Sequence, residues 1–83
     1  MIDNFIIYLE TEKRFSDHTV VAYKKDVEQF IVFSEIKTAK EIEGIKSSLV
    51  RSWMVDLYDL KITKKSINRK LSSLRTFFKW LRK

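Results

Sequence analysis

The sequence predicts an all-α fold, and two features carry that prediction. Of 83 residues 45% are hydrophobic, yet there is a single glycine, Gly44, and no proline. Hairpin turns draw on those residues, so a sheet would lack its turns. The apolar residues also recur at helical spacing: Ile67, Leu71, Leu74, Phe78 and Leu81 fall within about 80° of arc, the buried face of an amphipathic helix. A chain this short builds one modest core and has no room for a cleft between two lobes.

The first helix is expected over about residues 2–14, with Ile2, Phe5, Ile6 and Leu9 inward. Ile7 and Tyr8 point away from that stripe, either to flank the core or to meet another protein. Ser16 then stands as an N-cap, its hydroxyl accepting from the backbone N–H of Thr19, while Asp17 complements the positive helix end. The second helix covers about residues 17–34, with Val20, Tyr23, Val27, Phe30 and Ile31 inward and His18, Ala22, Lys25 and Gln29 on the reverse side. Residues 35–46 lose the periodicity and read as a loop, in which Thr38 and Glu41 have the spacing of a capping box and predict one short helical turn.

Ser47 or Ser48 caps a third helix to about residue 59, with Val50, Trp53, Met54 and Leu57 inward. The fourth helix covers about residues 64–82, capped by Thr63, with Ile62 and Ile67 spaced as a hydrophobic staple. Trp80 lies roughly opposite the stripe of this helix, which fits a contact with DNA or a neighbouring domain and equally fits packing against a nearby helix. The last helix is still amphipathic where the sequence stops, as in a domain cut from a larger protein.

With no cysteine and one histidine, His18, neither a disulfide nor a structural zinc site can be built, and no metal or cofactor is expected. The N-terminus opens on an acidic residue, and no apolar run approaches the ~20 residues that span a bilayer, so a soluble cytoplasmic protein without a membrane partner is expected. No nucleophile, base or metal cluster forms a catalytic motif.

Charge is the stronger functional signal. Residues 1–45 carry 6 basic and 9 acidic side chains, whereas residues 46–83 carry 11 and 2. From Lys61 to Lys83 there are nine lysines and arginines and no acidic residue at all. An ordinary solvated helix uses pairs of opposite sign, so this imbalance favours a polyanionic partner. Lys65, Ser66, Arg69, Ser72, Ser73 and Thr76 fall on the arc opposite the apolar stripe, where cations release counterions from a phosphate backbone and short hydroxyls allow close approach. Arg69 is the first choice for a base-edge contact, because guanidinium pairs bidentately with guanine. Its replacement by alanine is expected to leave thermal stability nearly unchanged. The rival reading is a basic helical interaction module that docks on an acidic protein or an anionic membrane surface.

The run from Phe15 to Val27, with Ser16, Thr19, Tyr23 and Asp26 and then Phe30, resembles the S-x-x-T-x-x-x-Y-x-x-D-[LV]-x-x-F pattern of the N-terminal core-binding domain of tyrosine recombinases, most closely the Xer type. Ser66 to Leu81, with Arg69, Leu71, Ser72, Leu74, Arg75, Phe77 and Trp80, is similar to the second half of that pattern. The two motifs occur in the right order and together cover the chain. The resemblance implies a four-helix SAM-like orthogonal bundle that, with a larger C-terminal catalytic domain, closes around double-stranded DNA, with helices 2 and 4 against the major groove.

Carried over by position, the DNA-facing residues are Ser16, His18, Thr19, Ala22 and Lys25 on helix 2 and Lys65, Ser66, Arg69, Ser73 and Thr76 on helix 4. The family's catalytic residues lie in the C-terminal domain, so this chain is expected to bind and not to cleave. The expected partners are duplex DNA and, in a synaptic complex, other recombinase protomers, with the isolated domain monomeric. Leu60-Lys61-Ile62-Thr63 lacks the glycine often found before helix 4, which leaves that turn open.

Overall fold

The computed structural model describes residues 2–35, Glu41, Gly44 and 47–82. They form four helices: α1 (Ile2–Thr11), α2 (Asp17–Ser34), α3 (Ser47–Asp59) and α4 (Lys64–Leu81). Among the described residues there is no strand, as expected for an all-α bundle. α2 is central, packed against α1, α3 and α4, and α3 also lies against α4.

Two of the three expected caps form, at Ser16 and Thr63, whereas Ser47 and Ser48, expected to cap the third helix, both lie inside α3. Ser16 Oγ accepts from the Thr19 N–H at 3.3 Å and Thr63 Oγ1 from the Ser66 N–H at 3.2 Å, each satisfying a donor left over at a helix start. α1 is shorter than expected, ending at Thr11 and not near residue 14. The N–H groups of Glu12 and Lys13 both close on Tyr8 O, at 3.0 and 3.2 Å, and Arg14 turns into the left-handed region at φ 52°. The chain thereby folds back: the Phe15 N–H reaches Leu9 O at 3.1 Å, and the Phe15 ring meets Tyr23 edge-on at 5.3 Å. Nothing in the polar run 11–14 marks this stop, because no glycine is used.

The same device closes α3. Lys61 adopts φ 63°, its N–H donates to Tyr58 O at 2.9 Å, and the Ile62 N–H donates to Leu57 O at 3.1 Å. These two bonds make a Schellman ending, normally built on glycine. Ile62, the residue after the left-handed position, packs on the core. A lysine therefore does the work of the missing glycine, at a cost of about 1 kcal/mol of backbone strain. Of the short turn expected from Thr38 to Glu41, Glu41 is helical, and Thr38 lies outside the described residues.

The centre of the core holds Phe5, Leu9, Val27, Phe30, Leu74 and Phe77, each almost fully buried, with Val20, Trp53 and Leu57 around them. Two aromatic expectations are corrected or decided. Tyr8 is only 6% exposed, while Ile7 does point outward. Trp80 takes the packing alternative, with ring centroids 5.4 Å from Phe5, 6.0 Å from Phe77 and 6.4 Å from Tyr8. On α4 the buried residues are Lys70, Ser73, Leu74 and Phe77, whereas Ile67, Leu71, Phe78 and Leu81 are half-buried. Its buried face is thus turned by about 70° from the purely apolar stripe, given 100° per residue. The turn brings in Phe77 and, with it, two polar residues, Lys70 and Ser73.

Candidate nucleic-acid interface

What draws Lys70 and Ser73 inward is Asp26 on α2, whose side chain is completely buried. Arg69 donates to it side-on, Nε to Oδ2 at 3.1 Å and Nη2 to Oδ1 at 2.9 Å. Lys70 Nζ donates to Oδ1 at 3.0 Å, and Ser73 Oγ donates to Oδ2 at 2.8 Å. Lys70 Nζ is also held by Gln29 Oε1 at 2.6 Å, one turn along α2. The Ser73 hydroxyl lies 3.0 Å from Arg69 O as well, but its single hydrogen favours the nearer, charged acceptor.

Each carboxylate oxygen thus receives two donors, and among the described residues no buried side-chain polar atom lacks a partner. Burial alone pushes the Asp26 carboxyl up, and it is the largest single influence; the bonds from Arg69, Lys70 and Ser73 and the Lys70 charge together outweigh it, so the group titrates below its ordinary value. The bond to Asp26 in turn raises the Arg69 guanidinium, against a smaller desolvation effect. A carboxylate between two cations leaves the cluster with one net positive charge. That charge faces outward, because the Lys70 side chain is 8% exposed and that of Arg69 46%.

The expected DNA-facing residues divide into groups. His18, Lys25 and Lys65 are exposed, and Thr19, Ala22, Ser66 and Thr76 are half-buried. Ser16 is exposed, but its hydroxyl is committed to the cap and lies 3.0 Å from Thr19 Oγ1. Ser73 is corrected: at 0% exposure it belongs to the Asp26 cluster and offers no surface. Arg69 is corrected in part. It is exposed, yet its Nε/Nη2 edge is taken by Asp26 and only the Nη1/Nη2 edge is left for a partner, so its replacement touches stability as well as surface. Lys70, one of the nine cations between Lys61 and Lys83, is buried. The exposed residues of α4 are Lys64, Lys65, Asn68, Arg69, Ser72, Arg75 and Lys79, followed by Arg82 at its C-cap.

Asp26 was the residue missed, and its signal was present. It sits three residues after Tyr23 and four before Phe30, at core spacing, in a chain whose last 23 residues contain no acid to pair with their cations. Asp26 and Arg69 are both letters of the two motifs, and in the fold those letters touch.

Among the described residues no group of His, Cys, Asp or Glu could hold a metal ion, and no helix is long and apolar enough to cross a membrane. The apolar face of α4 that a membrane-docking helix would need is occupied by the core.

Comparison with known proteins adds a family. The sequence model described as phage integrase, N-terminal SAM-like domain, matches residues 2–83. A tyrosine recombinase XerC from Anoxybacillus flavithermus is 40% identical over 77 residues, covering 93% of this chain and 26% of the relative. Another from Oceanobacillus iheyensis is 35% identical over 80 residues, 96% of this chain and 26% of the relative. A third, from Rickettsia felis, is 33% identical over 88 residues, all of this chain and 29% of the relative. The chain spans little more than a quarter of the length of these relatives. No solved structure matches it.

Proposed function

Because this chain belongs to the phage integrase N-terminal SAM-like domain family, we propose that it is the DNA-binding module of a site-specific tyrosine recombinase, gripping duplex DNA through α2 and α4 while cleavage and joining are carried out by a catalytic domain of the same protein. The observation that carries this reading is the charge of α4: every ionised side chain on it is a cation, and its one buried acidic partner is borrowed from α2. Lys25, Lys65 and the outer edge of Arg69 contact backbone phosphates, while Ala22, Ser66 and Thr76 leave room for the helices to approach. Other recombinase protomers are the second class of partner, met in a synaptic complex, and the module alone is a monomer.

Titration of a labelled duplex at two ionic strengths tests the reading. Affinity falls by about 0.9 decade per decade of salt for each phosphate neutralised. Binding that does not change with salt would rule it out.

A further inference from the structure

We propose that Asp26 is a positioning residue for DNA contact: it clamps the guanidinium of Arg69 side-on so that the opposite edge is held ready for a backbone phosphate. This inference rests on the DNA-binding reading above and assigns a role inside it to a carboxylate that can never itself touch the nucleic acid.

Three features support it. First, the pair is asymmetric, with Asp26 fully buried and the Arg69 side chain 46% exposed. A salt bridge serving only to neutralise a buried charge has no need of an exposed partner, since Lys70 and Ser73 already satisfy Asp26 from within. Second, the bonds to Asp26 use Nε and one N–H of Nη2, leaving both N–H groups of Nη1 and one of Nη2 without a partner among the described residues. A guanidinium fixed along one edge presents the other in a defined plane, which suits the two free oxygens of a phosphodiester. Third, a second pair of side-chain bonds joins α4 to α2 beside the clamp, from Lys70 Nζ to Asp26 and Gln29. The guanidinium is thereby registered against both helices of the proposed interface, one carrying Lys25 and the other Lys65.

The decisive test is Asp26→Asn, because two accounts of it predict opposite signs. The substitution raises the net charge from +6, so if charge alone governs binding the variant holds duplex DNA more tightly. If Asp26 positions Arg69, the variant binds about fivefold more weakly, since a freely rotating guanidinium must be ordered on contact. Far-UV circular dichroism at low temperature confirms that the variant is folded. Arg69→Lys serves where it is not: it keeps the charge and removes the fork, and the expected result is again about a fivefold loss.

Lys25→Gln is the control for the parent reading, with weaker binding and a salt slope reduced by about one. Salt-dependent binding by the wild type and Lys25→Gln behaviour as expected, together with unchanged or tighter binding by Asp26→Asn and Arg69→Lys, would overturn the positioning role and leave the DNA-binding reading standing. Absence of salt-dependent duplex binding by the wild type would overturn both.

Discussion

The two halves of α4 are held to the bundle by opposite chemistry. Its first half is fixed by charge, with Arg69, Lys70 and Ser73 converging on the buried Asp26 of α2. Its second half is fixed by ring packing, with Phe77 edge-on to Phe5 at 5.0 Å and Trp80 over Phe5 and Tyr8 of α1. Aromatic packing carries no charge to titrate or to screen, so it suits the end that only has to hold. The charge cluster is directional: it fixes rotation and register about the α4 axis, and it leaves one cation at the surface. The helix is thus anchored at one end and aimed at the other.

The sharpest way to separate the two halves is to remove a central side chain from each. Phe77→Ala opens a cavity at the aromatic end and is expected to cost about 3–5 kcal/mol, the same across pH 4 to 8 within error, as read by urea unfolding. A cost of Phe77→Ala that changed with pH over this range would break the distinction.

Asp26→Asn is expected to cost about 2–3 kcal/mol at neutral pH, because the Arg69 and Lys70 bonds lose their charge-assisted acceptor. Since the Asp26 carboxyl titrates below its ordinary value in the fold, its contribution is complete above the unfolded value of about 3.9 and disappears as pH falls through the lower folded value. The stability gap between wild type and variant therefore narrows below about pH 4. A gap that held constant to pH 2 would mean that the Asp26 charge contributes nothing.

A smaller effect is expected outside both halves, at the turn into α4. Lys61→Gly relieves the left-handed strain at φ 63° and raises stability by about 0.5 kcal/mol, after allowing for the extra freedom glycine gives the unfolded chain. A loss would show that the Lys61 side chain itself supports the turn.

The helices, the caps at Ser16 and Thr63 and most of the core were legible in the sequence, because apolar spacing and those two cap signals are local. What was not legible about α4 has one physical origin. Periodicity sorts residues by polarity, so it reads a buried, fully bonded Lys70 or Ser73 as solvent-facing and swings the inferred face of α4 by about 70°. The same sorting placed Tyr8 off the core stripe and left Trp80 undecided. The partner that reverses the assignment, Asp26, lies 43 residues before Arg69, beyond any local window. Arg14 and Lys61 were illegible for a different reason: their left-handed turns are imposed by the packing of Phe15 and Ile62 that follow, not by the residue types that make them. Among the site residues, exposure of Lys25 and Lys65 was readable, whereas the commitment of Arg69 and Ser73 was not.

The central claim, that one end of α4 is aimed at DNA and the other only holds the bundle, is tested most directly by NMR titration of the ¹⁵N-labelled protein with a short duplex. The expected shifts cluster on the Arg69 side-chain Nε–H and on the backbone around Lys25, Lys65 and Arg69, with the Trp80 indole and the amides of Phe5 and Tyr8 unmoved. Shifts centred on Trp80 and α1, with Arg69 silent, would contradict it.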